Sequence, residues 1–500
     1  MCSIIGFFNF DDNIQNTTKA LKKFSCRGDD AFGIYDGKNI IIKNNISELE
    51  NIVKNNNNIS NTFNNNKTNN KYNNNNYSFC LGHNLFSIVN FAPQPLKNKG
   101  TLVANCEIYN WEYLSNKYNL KTNSDSDLLL KLLDKINIED KTQVENLLKE
   151  LDGPYAFAYL NNNKLLLVRD NIGIKPLCIY NDEKKFAFAS QFEVLPKNSF
   201  ELNPREYLIY DVKVNKTKFV KKKYFTTTPQ INGEYENIKK EIKKLFINSI
   251  KKRIPKDKKV GVLFSGGVDS TLIALTLKEL NIDFTCYTAN FIGGNITDGE
   301  DLKAAKQIAK EQDLNLKIAQ LKIDDMPIYT KKVMKIIQSK EYVKVSVAIP
   351  LFIALESAKK DNVKVIFSGI GSEELFADYQ RYRQAEDINK ICLEGLKSLY
   401  LRDLYRDDVI SMYNNIELRV PFLDNELINY ATKVSPKHKI DKSLNRNKII
   451  LRDILKDMNL SNNMAERPKK AAQYGTKSDR LLFKLAKQQK IKKQEYLNSL

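Results

Sequence analysis

The sequence predicts a chain of two parts: an α+β domain dominated by strands, followed by an α/β domain built on a parallel sheet. Three observations carry this. Up to about residue 215 the apolar stretches are short, often alternating and separated by turn residues, as in CSIIGFFNF, GTLVANCEIYN and KFAFAS, the pattern of half-buried strands. From about residue 234, long amphipathic segments alternate with short apolar runs (KKVGVLF, DFTCYTANF, NLKIAQLKI, VKVIFSG), as in a parallel sheet covered by crossover helices. Between them lies the polar, basic stretch NKTKFVKKKYFTTTPQINGEYEN. The expected division is a first domain over 1–215, a linker over 216–233, a second domain over 234–485 and a basic tail over 486–500.

Within the first part, strands are expected in order at CSIIGFFNF, YSFCLGHNLFSIV, GTLVANCEIYN, PYAFAYL, KLLLVRD, KFAFAS and EYLIYDVKV, with one helical stretch near SDLLLKLLDKI. Residues 55–76, NNNNISNTFNNNKTNNKYNNNN, are too polar to pack and read as a disordered loop inserted between apolar segments.

Composition narrows the class. The chain has 500 residues, 42% of them hydrophobic, enough for two or three packed domains. It contains no run of eighteen apolar residues, and its first thirty carry no basic leader with an apolar core, so neither membrane insertion nor export is expected. Seven scattered cysteines without a CxxC pair, and two histidines, fit neither a disulfide framework nor a zinc site. Unpaired thiols suit a reducing, cytoplasmic compartment. The net charge of +20 is spread as lysine over the whole chain. A solvated basic surface accounts for it better than a nucleic-acid partner.

The most informative stretch of the second part is VGVLFSGGVDSTLIALTLKEL: an apolar strand, then Ser265, Gly266, Gly267, Val268, Asp269 and Ser270, then a helix. The glycines let the backbone turn sharply and approach a ligand, and the helix start offers unpaired amides and a positive dipole end to phosphate. The loop lacks the lysine and spacing of a Walker loop. It resembles instead the pyrophosphate loop of the N-type ATP pyrophosphatases, which implies ATP as substrate, Ser265 and Ser270 on phosphate oxygens, and Asp269 on Mg²⁺. A later strand, VKVIF, runs into SGIGSEELFADY. Its end delivers small residues and acids to the carboxyl edge of the sheet, with Ser368 and Gly369 able to line the adenine pocket and Glu373 or Glu374 to share the metal.

Taken with MCSIIGFF, RGDD, QPL, ANCEIYN, LDGPYAFA, RDNIGIKPL and ELRVPFLD, these segments closely resemble the glutamine-dependent asparagine synthetases of the asparagine synthetase B type over nearly the whole chain. The resemblance implies a carbon-nitrogen ligase of amino-acid biosynthesis with two sites. The first domain would be a type 2 glutamine amidotransferase with the αββα sandwich of N-terminal-nucleophile hydrolases. The second would be a doubly wound ATP pyrophosphatase domain that adenylates aspartate. Ammonia cut from glutamine would then displace AMP, leaving asparagine, glutamate and pyrophosphate.

Residue by residue, the resemblance implies Cys2 as nucleophile once Met1 is removed, because its thiol and α-amino base then share one residue. It places Asn105 and the Cys106 N–H in an oxyanion hole. Glu107 and Asp125 would hold the α-amino group of glutamine, with Arg27 and the backbone at Ile88 and Val89 nearby. ATP would also meet Leu263 and Ala289, Mg²⁺ would take Asp269 and Glu373, and Lys469, or next Lys470, would face the leaving pyrophosphate. Small-molecule partners are implied, with a homodimer as the candidate assembly and no membrane or nucleic acid.

Four positions depart from the family pattern. Leu85 stands where an Arg clamps the substrate carboxylate, Cys106 replaces the oxyanion glycine, Ile370 replaces an acid of the adenylation site, and Glu373 replaces a metal-binding Asp. Isoleucine can neither accept a proton nor hold a cation, so Glu341 or Glu373 is expected to act in its place. Otherwise the chain amidates another carboxylate, or is a non-catalytic glutamine-binding relative.

Overall fold

The computed structural model describes residues 2–55, 78–293, 297–468 and 472–500. The Asn-rich tract from residue 56 onward lies outside the described residues, as do Lys469 and Lys470. The chain divides into two compact units, Met1–Tyr224 and Phe225–Leu500.

The first unit holds two antiparallel sheets. One has the strand order Phe200–Glu201, Cys178–Asn181, Phe186–Ala189, Ser3–Phe8, Phe79–Leu85, Ala31–Tyr35, Ile40–Lys43. The other runs Lys216–Lys221, Glu206–Asp211, Lys164–Arg169, Tyr155–Asn161, Thr101–Cys106, Leu96–Lys97. Alternation of side chains decides what each face meets. Ile4 and Phe8 join Leu81 of their own sheet and Ala158, Leu167 and Leu208 of the other in one shared core. Ile5 and Phe7 turn the other way, into a cluster with Leu21 of the Asn13–Lys23 helix. The far face of the second sheet, with Phe157, Leu166 and Val168, packs on Leu128, Leu129 and Leu132 of the Asp125–Leu133 helix. Each such large apolar side chain contributes roughly 1.5–3 kcal/mol by leaving water.

Among the described residues, four helices of this unit go beyond the one the sequence predicts: Asn13–Lys23, Ile46–Asn55, Trp111–Lys117 and Lys141–Glu150. The first reads NIQNTTKALKK, whose first half, with two Asn, an Ile and two Thr, is poor in helix formers. Tertiary contact overrides that weakness, because Gly82 carries no side chain where Thr17 and Leu21 lie against the Phe79–Leu85 strand; a Cβ there would sit 2.5 Å from the Thr17 methyl. The segment expected as a linker, 216–233, begins as the strand Lys216–Lys221, whose backbone pairs with Glu206–Asp211. Its lysines suit an edge strand, where charge discourages further pairing. The expected basic tail likewise contains the helix Lys493–Ser499, which buries Tyr496 and Leu497.

The second unit is built on a five-stranded, wholly parallel sheet in the order Leu316–Lys322, Phe284–Ile292, Val260–Leu263, Val365–Phe367, Glu417–Arg419. Strand order reverses about this unit's first strand, Val260–Leu263, where open α/β sheets form a crevice at their carboxyl ends. The Ser265 and Ser368 loops both leave the sheet there, because Val262 pairs in register with Phe367. Among the described residues no helix is long and apolar enough to cross a membrane.

Candidate active sites

In the first unit Arg27 and Leu85 touch Cys2, and Asp125 and Cys106 lie within electrostatic reach of it. Its side chain is buried, and its Sγ accepts from the Phe86 N–H at 3.5 Å. Burial pushes the thiol pKa above its ordinary value, against the lowering effect of the Phe86 contact, so at neutral pH a base must take the proton. Arg27, fully buried, donates from Nε to the Cys2 carbonyl at 3.4 Å. Leu85 packs on Cys2 and Ala31, an apolar contact where the resemblance expects an arginine. The bend after it is tied at both ends: Ser87 N–H donates to Asp30 at 2.7 Å and the Asn90 amide to the Asn123 carbonyl at 2.7 Å. Ile88 is half-buried there, and Val89 is 50% exposed.

The strand Thr101–Cys106 brings the oxyanion candidates to its end. Asn105 is fully buried, and neither atom of its side-chain amide has a hydrogen-bond partner among the described residues. A buried amide without partners costs stability, about 1–3 kcal/mol, which a developing oxyanion would recover. Glu107 N–H donates to the Pro154 carbonyl at 3.0 Å. Cys106 is therefore in the non-bonded position of that ladder, its N–H directed away from the Tyr155–Asn161 strand. Ala104, on the same edge, donates to Gln94 Oε1 at 2.7 Å. The Ala104 carbonyl accepts from Gln94 Nε2 at 3.2 Å and lies 3.1 Å from His83 Nε2. Burial lowers the His83 pKa to about 3, so this ring is neutral and Nε2 carries its proton. Gln94 and His83 thus hold the peptide just before Asn105, roles that the QPL and HNLFSI segments did not reveal.

Asp125 begins the Asp125–Leu133 helix, capped by Ser124, and accepts from the Ile108 N–H at 3.1 Å. Glu107, next to Ile108 in sequence, is buried. The Cys106 thiol is pushed well above its ordinary value, first by burial and then by the charge of Asp125. It stays protonated and does not compete as a nucleophile.

In the second unit Ser265, Gly266 and Gly267 close the turn between Val260–Leu263 and the helix Val268–Glu279. Gly267 N–H donates to Ser265 Oγ at 3.3 Å, and Ser270 Oγ donates to the Gly267 carbonyl at 3.2 Å. Leu263 and Ala289 lie near the carboxyl ends of adjacent strands. Gly369 comes so close to Asp269 that a Cβ would lie 2.6 Å from its Cβ, which joins the two loops. Ser368 is held by a bond from its N–H to the Arg419 carbonyl at 2.9 Å.

At the centre of this crevice stands a residue that no sequence argument singled out. Lys448, 1% exposed, donates to both Asp269 carboxylate oxygens at 2.7 Å and to Ser372 Oγ at 2.8 Å. It also pairs with Asp378 at 2.9 Å and lies 3.8 Å from Glu373. NRNKIILR looks like any amphipathic helix start; only the packing of Ile449–Asp457 against the helix Val268–Glu279 places this lysine. Arg467 is the second such residue. It donates to the carbonyls of Ser265 and Gly266 at 3.4 and 3.2 Å and to Asp301 at 2.7 Å, bracing the loop from behind.

The donor set fits Mg²⁺ bound with a nucleotide. Asp269 and Glu373 offer hard carboxylate oxygens, while no group of three or more metal-binding side chains occurs among the described residues. Magnesium commonly takes one or two carboxylates and completes its shell with phosphates and water. Of the acids expected to replace Ile370, Glu373 lies on this cluster, whereas Glu341 is exposed and paired to Lys344 at 3.2 Å. Ile370 itself is half-buried.

The asparagine synthase family profile matches residues 241–390 and 383–499, and the glutamine amidotransferase domain profile matches 87–197. A Methanocaldococcus jannaschii chain named for asparagine synthetase [glutamine-hydrolyzing] is 31% identical over 569 aligned positions, covering 100% of this chain and 98% of its own length. This chain belongs to the glutamine-hydrolysing asparagine synthetase family. The asparagine synthetases of Rattus norvegicus and Homo sapiens are 28% and 27% identical, each alignment covering 96% of this chain and 85% of the relative.

For this asparagine synthetase family member the loop geometry gives a paired prediction. Gly266 has φ +64°, and a Cβ would meet the backbone of Ala304 and Ala305 at 2.6–2.7 Å. Gly266→Ala combines a left-handed penalty with overpacking, about 2–4 kcal/mol in total. At Gly267 a Cβ meets just the Ser265 hydroxyl, at 3.2 Å. Thermal unfolding should show Gly266→Ala strongly destabilised and Gly267→Ala close to the parent; equal melting temperatures would contradict this geometry.

Proposed function

We propose that the two units carry the two half-reactions of glutamine-dependent, ATP-driven asparagine synthesis, with Cys2 cutting glutamine in the first and the Ser265–Ser270 loop binding ATP in the second. The observation that carries this reading is the pairing of the buried Cys2 thiol, close enough to Cys106 to act on it electrostatically, and the unpartnered Asn105 amide next to Cys106, with a phosphate-type loop leading into the Asp269 helix. The sheet-on-sheet core with helices on outer faces supports the αββα reading of the first unit. The reversed strand order supports the doubly wound reading of the second.

In the first unit the Cys2 α-amine, exposed by loss of Met1, takes the thiol proton. The thiolate attacks the carboxamide carbon of glutamine. Charge develops on the former carbonyl oxygen, where the Asn105 amide and Cys106 N–H donate; one such donor is typically worth about 2.7–4 kcal/mol of barrier. Collapse expels ammonia, with its proton returned by the amine, and water then hydrolyses the thioester to glutamate. Asp125 and Glu107 pair with the substrate ammonium, and Arg27, which holds the Cys2 carbonyl, is the candidate partner of its carboxylate.

In the second unit the backbone of Ser265–Gly267 and the Ser270 hydroxyl orient the ATP phosphates while Ser368 and Gly369 bound the adenine side. Asp269 and Glu373 would hold Mg²⁺, whose charge would offset that of the phosphates. The aspartate side-chain carboxylate attacks the α-phosphorus to give the aspartyl adenylate, and ammonia displaces AMP. Lys448 adds positive charge beside the phosphates, and the family resemblance gives Lys469 the part of a second cation for the leaving pyrophosphate.

Purified protein with ATP, Mg²⁺, aspartate and glutamine should release AMP, pyrophosphate, glutamate and asparagine in equal amounts. Failure to form AMP and asparagine with either glutamine or ammonium as nitrogen source would overturn the reading.

A further inference from the structure

The carboxylates assigned to the metal hold a cation of the chain itself, the Lys448 ammonium, which contacts Asp269 directly and lies 3.8 Å from Glu373. Its contacts with Asp269, Asp378 and Ser372 fall between 2.7 and 2.9 Å, and Ser372 passes a hydrogen bond on to Glu373 at 3.2 Å. Burial matters here, because a charge pair shielded from water is coupled several-fold more strongly than one at the surface.

The backbone under this lysine is pinned while its stem remains long and rotatable. Lys448 has φ 54° and ψ 38°, the left-handed region that a non-glycine residue adopts only when its surroundings impose it. The imposing contacts are Arg452 Nε donating to the Asn447 carbonyl at 2.7 Å and the Asn447 amide donating to the Asp378 carbonyl at 2.9 Å. The Cα is thereby fixed beside the acidic cluster, and a flexible four-carbon arm carries a point charge that can exchange carboxylate for phosphate partners.

We propose that Lys448 is a placeholder cation that makes divalent-metal binding conditional on nucleotide. This rests on the reading of the Ser265–Ser270 loop as the Mg²⁺–ATP site. Without nucleotide, a divalent ion must share Asp269 with an ammonium in contact with both its oxygens, or displace it so that Asp378 and Ser372 alone hold it; both oppose binding. When a polyphosphate enters, its oxygens accept the ammonium, Asp269 and Glu373 are released to the metal, and nucleotide and metal bind together. The device prevents occupation of the site by free metal ion before ATP arrives.

The test is metal uptake by the full chain, read as loss of the free Mn²⁺ electron paramagnetic resonance signal, without turnover. Wild-type protein should take up Mn²⁺ weakly alone and one ion per chain with a non-hydrolysable ATP analogue. Lys448→Met should take up one ion per chain without nucleotide, at least roughly tenfold more tightly than wild type, and Asp269→Asn in that background should abolish the uptake. Lys448→Gln, which keeps hydrogen bonding without charge, should behave as Lys448→Met if the latter proves unstable by circular dichroism. Tight, stoichiometric Mn²⁺ uptake by nucleotide-free wild type overturns the placeholder role, and the analogue-dependent arm then still stands for the site. No uptake in any protein, with or without the analogue, removes the site reading and the placeholder with it.

Discussion

Replacing Cys2 by alanine is expected to lower glutamine hydrolysis by about three orders of magnitude or more, since the step that forms the thioester has no other nucleophile in position. Cys106 does not substitute, because burial and the Asp125 charge raise its thiol and it has no α-amine of its own to take the proton. Ammonium-dependent asparagine formation should persist in the same variant, because that reaction bypasses the first unit. The replacement removes one buried sulfur from a small cluster with Ala31 and Leu85, so the fold should survive. Glutamate release and asparagine formation, each assayed with glutamine and with ammonium chloride, check the result. Residual glutamine-dependent synthesis near the parental rate would remove Cys2 from the mechanism.

The same arrangement sets a pH dependence. The Cys2 thiol is raised by burial and does not ionise unaided near neutrality. The α-amine, ordinarily titrating at about 7.7–8.0, must be neutral to accept the proton. Below that value the amine is protonated and kcat/KM for glutamine should fall about tenfold per pH unit, rising to a plateau above it. His83 contributes no step to this profile, because burial keeps it neutral down to about pH 3. A chain that retains Met1 should lack the activity at every pH.

How much of this was legible beforehand depends on how local the signal is. Strands such as Thr101–Cys106 and Val260–Leu263 carry their pattern in a few consecutive residues, and SGGVDS specifies a turn by its own glycines, so both were readable. The Asn13–Lys23 helix was not, since its stability comes from Gly82 admitting Thr17 and Leu21, a contact with a strand more than fifty residues away. Asn105 could be named from ANCEIYN, but the bracing of its neighbour Ala104 by Gln94 and His83 depends on register between two sheets. Lys448 is the strongest example. It is 179 residues from Asp269 in sequence, in a segment whose composition marks it as an ordinary helix start, and its role exists only once two helices are packed.

The second large effect is expected at that contact. Asp269→Asn removes the carboxylate that touches Lys448 through both oxygens and that adjoins Gly369. The change is nearly isosteric, so the tight approach of Gly369, which leaves no room for a shifted side chain, is preserved. What is lost is charge at the point where phosphate and cation meet; several kcal/mol of stabilisation there corresponds to about a thousandfold in rate. Aspartate-dependent exchange of labelled pyrophosphate into ATP should therefore collapse while glutaminase in the first unit continues. Asp269→Glu should not rescue exchange, because the longer arm cannot seat its carboxylate in the same place between Lys448 and Gly369. Exchange at the parental rate in Asp269→Asn would mean that the metal and phosphates are held elsewhere, and the assignment of the Ser265–Ser270 loop would fall with it.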